Sequence, residues 1–150
     1  MKIALPDESS TIALAHRLAP LLGEVRLITL SGDLGAGKTT LVRALLHALG
    51  HHGRVKSPTF TLVEPYEIAG RPIYHFDLYR LASPEELEYL GFVDYQEPGA
   101  LSLIEWPERA AGWLDQPDLH FILRYAPDGG RLLEVSAGSD SGQCVMGQLA

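Results

Sequence analysis

Between Gly32 and Thr39 the chain reads Gly-Asp-Leu-Gly-Ala-Gly-Lys-Thr, which matches G-x-x-x-x-G-K-[ST]. With this chain's own glycine, lysine and hydroxyl content, roughly 0.003 such matches would arise by accident in a sequence of this length. The residue types suit a chain of phosphates. Glycines let the backbone curl so that N–H groups over Gly35, Ala36 and Gly37 point inward. A helix starting at Lys38 adds a partial positive charge at its N-terminus. Lys38 can reach the β- and γ-phosphates, the Thr39 hydroxyl is placed to ligate Mg²⁺, and Thr40 can bond the α-phosphate. The expected ligands are therefore ATP and Mg²⁺.

Binding alone is not hydrolysis, which also needs a carboxylate near the metal and a group that senses the γ-phosphate. Two apolar runs end in an acid: Tyr74-His75-Phe76-Asp77 and Leu101-Ser102-Leu103-Ile104-Glu105. Neither is a long hydrophobic run closed by an aspartate, so the spacing leaves both Asp77 and Glu105 as candidates. A period of two places His75 and Asp77 on one face of their strand, opposite Tyr74, Phe76 and Leu78. Lys56-Ser57-Pro58-Thr59-Phe60-Thr61 is positioned as a switch segment whose hydroxyls can touch Mg²⁺ or the γ-phosphate; a polar bend into a strand is the plainer alternative. His51-His52 lies in a turn without matching ligand spacing and reads as a solvated loop. Glu85, Glu86, Glu88, Asp94 and Glu97 form an acidic stretch free of Lys and Arg, a solvated face or a surface for a basic partner. Trp106 can pack near a nucleotide or in the core.

The elements that must hold these groups follow from periodicity. Apolar positions at spacings of 3 and 4 predict a helix over Asp7–Leu22, with Ser9, Ser10 and Thr11 at its start. Val25–Leu30 reads as a strand covered on both faces, and Lys38–Leu49 as a helix stopped by Gly50. Phe60–Ile68 and Ile73–Leu78 form a hairpin around Gly70 and Pro72. Ser83, Pro84 and Glu86 open a helix ending at Gly91. Leu101–Trp106 is a buried strand, and the alternation from Leu119 to Tyr125 turns at Asp128-Gly129-Gly130 into Leu132–Val135. The expectation is an α/β, P-loop NTPase-like three-layer domain with a mixed central sheet flanked by helices, spanning residues 1–136. Residues 137–150, rich in Gly, Ser and Gln, are expected to be a flexible C-terminal tail.

Composition narrows the functional classes. One hundred and fifty residues make about one domain. A net charge of −7 argues against gripping nucleic acid by charge alone. The single cysteine, Cys144, excludes an intramolecular disulfide and a four-cysteine zinc site. Neither a signal-peptide stretch nor a membrane span is visible, so a cytoplasmic location without membrane association is expected. A small-molecule or nucleotide kinase shares the loop and the size, but usually carries an arginine-rich lid. The nine arginines here form no such cluster. A nucleotide-gated binding module without hydrolysis is a third reading.

Four segments in order resemble one family: Gly32–Thr40, Ser57-Pro58-Thr59-Phe60, His75-Phe76-Asp77-Leu78-Tyr79-Arg80 and Ile104-Glu105-Trp106-Pro107. Together, across about residues 5–136, they are similar to the bacterial TsaE (YjeE) proteins, small P-loop ATPases of tRNA N6-threonylcarbamoyladenosine biosynthesis. The resemblance implies weak ATP hydrolysis that supports turnover of a TsaB–TsaD complex. That complex, rather than this chain, would hold the adenosine at position 37 of tRNA, so contact with tRNA would be indirect. It further implies Thr39 and Glu105 as Mg²⁺ ligands, Thr11 at the nucleotide, and Asp77 as an essential Walker B-like aspartate. Trp106 and Ser57–Thr61 would respond to nucleotide state. Lys38, Asp77 and Glu105 are the catalytic candidates.

Overall fold

The computed structural model describes residues 1–150. The chain forms β1 (Lys2–Leu5), α1 (Glu8–Leu18), β2 (Leu27–Ser31), α2 (Lys38–Leu49), β3 (Val63–Ile68) and β4 (Arg71–Asp77). It continues through α3 (Glu86–Leu90), β5 (Leu101–Glu105), β6 (Leu119–Tyr125), β7 (Arg131–Ala137) and α4 (Asp140–Leu149). Seven strands make one sheet in the order β1-β7-β6-β2-β5-β4-β3. The middle of the sheet, β6-β2-β5-β4, is parallel, and β1, β7 and β3 pair antiparallel at its edges. The mixed sheet flanked by helices is thus the α/β architecture that the alternation of elements predicts.

Continuous apolar runs become the central strands. Every residue of β5 is buried, as are the first four of β2, because helices or helical turns cover both faces there. On one face, α1, α2 and α4 join Ile28, Leu103, Leu119 and Leu133 in the main core. On the other, Leu81, Leu87 and Ala110 pack over Phe76 and Ile104. No helix is long and apolar enough to cross a membrane.

Several expectations need correction. The first helix is capped by Asp7, whose Oδ1 accepts from the Ser10 amide at 2.9 Å and the Ser10 hydroxyl at 2.8 Å. Its α-helical part stops at Leu18 and tightens into a 3₁₀ turn over Ala19–Leu21, since Pro20 lacks the N–H for an intrahelical bond. The strand expected from Phe60 begins at Val63. Leu62, at φ 68°, closes a turn in which its amide donates to the Pro58 carbonyl at 2.8 Å. Ser83 makes no side-chain cap; α3 is only Glu86–Leu90 and starts on the backbone bond from the Glu86 amide to the Ser83 carbonyl.

Residues 137–150 are not a loose tail. Ser139 caps α4 by accepting from the Gly142 amide at 3.1 Å, and Val145 and Leu149 enter the main core. Gly142 permits this docking, because a Cβ there would lie 1.9 Å from the Asp118 carbonyl oxygen.

Candidate functional site

The end of β2 and the start of α2 are joined by Gly32–Gly37, and this loop organises the site. Gly32 sits at φ 147°, with the Leu123 carbonyl oxygen of β6 only 2.5 Å from where a Cβ would be. Glycine is therefore required for the loop to lie against the sheet. Gly37 enters α2 at φ 107° and no side chain caps the helix. The first amides of α2 are thus left for an external acceptor, the geometry that suits an anion.

Lys38 is 4 % exposed and folds back over the loop. Its Nζ donates to the carbonyl oxygens of Gly32 and Asp33 and lies 4.3 Å from the Trp106 ring centroid. Burial lowers its pKa, and the nearby carboxylates of Glu105, Glu108, Asp77 and Asp33 oppose that shift.

Strands β4 and β5 end side by side, with Asp77 opposite Glu105 in the register. Glu105 is 2 % exposed. Thr39 donates its hydroxyl to the two Glu105 carboxylate oxygens at 2.9 and 3.1 Å. His75 Nε2 lies 2.5 Å from Glu105 Oε2. The Asp77 carboxylate accepts from the Tyr79 amide at 3.0 Å. Burial raises the Asp77 pKa and the neighbouring Glu105 charge adds to the rise, while the Tyr79 amide, His75 and Lys38 pull it down.

An open cleft of about 380 Å³ gathers Gly35, Gly37, Lys38, Thr39, Thr40, Asp77 and Glu105. Ser57, Thr59, Tyr79, Arg80 and Trp106 complete its wall. Both carboxylates that the sequence left open therefore face one space. Thr11 does not line it. With Ala36, Thr11 lines a second cleft of about 260 Å³, which shares Gly35, Gly37 and Thr40 with the first. The glycine loop is the wall between them.

The residues present fit a small hard cation. Thr39 and Glu105 offer two hard oxygen donors at the foot of α2, and the buried Glu105 carboxylate is the donor type that such an ion prefers. Mg²⁺ usually takes only one or two protein oxygens and completes its octahedron with phosphate and water.

A family profile described as "Threonylcarbamoyl adenosine biosynthesis protein TsaE" matches residues 5–132. The chain belongs to the TsaE family. It is 46% identical over 147 residues to the TsaE of Haemophilus influenzae, covering 95% of this chain and 92% of that protein. To the TsaE of Bacillus subtilis it is 36% identical over 132 residues, 88% of this chain and 81% of the other. The crystal structure of Bacillus subtilis YdiB superposes with a TM-score of 0.80 at 27% identity, covering 99% of this chain and 93% of that one.

Within this TsaE chain, two contributors escaped the sequence reading. One is His75 as the partner of Glu105, signalled only by its shared strand face with Asp77 and its place in the His75–Arg80 segment. The other is the β6–β7 hairpin. Arg131 donates to the carbonyl oxygens of Ala36 and Gly35 at 3.2 and 3.3 Å, and the Tyr125 hydroxyl donates to the Leu34 carbonyl at 2.9 Å. The Arg131 guanidinium also stacks over the Tyr125 ring at 4.4 Å. These residues brace the loop from about 90 positions downstream, a proximity no local pattern announces. Trp106, directly after Glu105, holds φ 59°, a left-handed conformation uncommon for a bulky residue. Its amide is tied to the Leu30 carbonyl at 3.2 Å. Outside the site, His51 stacks on His47 and meets the edge of Tyr66.

Proposed function

We propose that this chain is a weak, Mg²⁺-dependent ATPase that acts in the N6-threonylcarbamoyladenosine modification of tRNA. The observation that carries this reading is the single cleft in which the uncapped start of α2, Lys38, the Thr39–Glu105 pair and Asp77 converge. The names of its TsaE relatives supply the pathway. In this reading the chain works in the cytoplasm with a TsaB–TsaD complex, and its nucleotide cycle supports repeated turnover there.

The amides of Gly35 to Thr40 donate to the phosphate oxygens of ATP, and Lys38 leaves the Gly32 and Asp33 carbonyls to pair with the β- and γ-phosphates. Thr39 and Glu105 would hold Mg²⁺, which would supply Lewis-acid stabilisation of negative charge on the phosphates. The second cleft, with Thr11 and Arg131, is the place for the nucleoside end. Asp77 accepts a hydrogen bond from the attacking water and aligns it with the γ-phosphorus; its raised pKa suits a group that takes up a proton. Water attacks, the bond to the β-phosphate oxygen breaks, and ADP and phosphate leave. Arg80, stacked 5.0 Å over the exposed Phe60 ring and lining the cleft, is the available cation for transition-state charge; a partner arginine supplied in trans would raise a weak basal rate. Ser57 and Thr59 face the same space, so the γ-phosphate orders their segment and its loss releases it.

Two assays test this reading together. Phosphate release from ATP is followed with and without TsaB–TsaD, and the same proteins are captured on the tagged chain with and without ATP. Nucleotide-dependent capture with stimulated hydrolysis is expected. Transfer of the phosphoryl group to an acceptor in place of water would show a kinase instead.

A further inference from the structure

We propose that His75 is a positioning residue for the Glu105 carboxylate, holding it by a hydrogen bond from Nε2. This inference rests on the Mg²⁺·ATP reading of the cleft. His75 is fully buried in the middle of the sheet, and its single polar partner is Glu105, at 2.5 Å from Nε2. Its Nδ1 is buried with no partner. Nε2 is thus the ring's one hydrogen-bonded atom, and an ionised carboxylate can only accept from it. The Nε2–H is therefore the donor and the carboxylate the acceptor.

The geometry divides the carboxylate's duties. Oε2 is held from β4 by His75, while Oε1 makes the shorter bond, 2.9 Å, with Thr39 at the foot of α2. Thr39 and Glu105 both line the cleft, and His75 does not. The ring therefore acts behind the carboxylate, away from any nucleotide. A glutamate has three side-chain torsions, and a donor fixed to β4 restricts them before a cation arrives. Groups that orient a metal ligand in this way typically change metal affinity by about 10–100-fold when removed.

The test uses the full chain with Mn²⁺ replacing Mg²⁺ and a non-hydrolysable ATP analogue, so that no turnover is needed. Mn²⁺ binding is followed by electron paramagnetic resonance, and metal-free nucleotide binding by calorimetry. His75→Leu fills the space without a donor, and His75→Gln returns an amide donor near the Nε2 position. Relative to wild type, His75→Leu is expected to weaken Mn²⁺ binding by about 10-fold, leave metal-free nucleotide affinity within about twofold, and be largely rescued in His75→Gln. Wild-type Mn²⁺ affinity in His75→Leu, or equal weakening in the Leu and Gln variants, overturns the role of His75 alone. A wild-type chain that takes up no Mn²⁺ with nucleotide overturns the ATPase reading as well. If thermal melts show that His75→Leu does not fold, His75→Gln is compared with His75→Asn, whose shorter amide does not reach Glu105. Near-wild-type metal binding in Gln and weakened binding in Asn support the proposal; equal binding overturns it.

Discussion

Glu105 stands between a hydroxyl on α2 and an imidazole on β4, almost without solvent. Its oxygens are thereby aimed at the foot of α2, where a cation would meet them. Removing it should therefore affect the metal more than the nucleotide. Glu105→Ala is expected to raise the Mg²⁺ concentration for half-maximal ATPase by at least about 10-fold, measured by titrating Mg²⁺ at fixed ATP; an unaltered titration contradicts the ligand role. The chemistry-bearing residues of the loop were legible in the sequence, because Gly32, Gly37, Lys38 and Thr39 are adjacent and their spacing is itself the signal. By strand pattern alone Asp77 and Glu105 were alternatives, and only the family resemblance gave each a separate role. Their partnership depends on β4 and β5 lying side by side in parallel register, which a linear pattern does not encode. His75 escaped for the same reason, although it lies only two residues from Asp77.

At the scale of elements, Asp118 joins three parts of the chain. One carboxylate oxygen accepts from the Arg26 and Leu27 amides at 2.7 and 3.0 Å, and the other from the Ser139 hydroxyl that also caps α4, at 2.6 Å. Burial alone would raise its pKa, but these hydrogen bonds and the Arg26 charge hold it below the ordinary 3.8. The ionised form is thus favoured by folding. Its contribution is present above the unfolded value and is lost as the pH falls through the lower folded value. Asp118→Ala should cost about 2 kcal/mol at pH 7 in urea unfolding, and the gap from wild type should narrow in acid; a gap independent of pH contradicts this. Leu149, 6 % exposed in the main core, tests the docking of α4. Leu149→Ala should lower stability by about 2–3 kcal/mol by the same measurement, whereas a frayed terminus would lose almost nothing. The elements α2, β2 and β5 could be read from sequence because their apolar runs are long or strongly periodic. Helix α4 could not. Its Gly142, Gly147 and polar residues are weak helix formers, and it is held by Val145, Leu149 and the Ser139 cap, contributions that exist only once β7 is in place.

The whole molecule places its chemistry where the parallel strands end, at the C-terminal edge of β2, β4 and β5, with the β6–β7 hairpin bracing the glycine loop from the other side. Such crevices at strand ends are where open α/β sheets commonly bind ligands. The net charge of −7 gives the exterior little attraction for nucleic acid, in keeping with the proposed indirect contact with tRNA. The glycine loop and the family were legible from four short motifs, while the second cleft beside Thr11 and Arg131 emerged only from the fold. Everything in the account requires Mg²⁺·ATP to occupy the space between the glycine loop and Glu105. Calorimetric titration of Mg²⁺·ATP into the wild-type chain and into Lys38→Ala tests this most directly. Saturable one-to-one binding by wild type and a loss of about 10²-fold in affinity in the variant are expected. Absence of binding by wild type, or equal affinity in both, would contradict it.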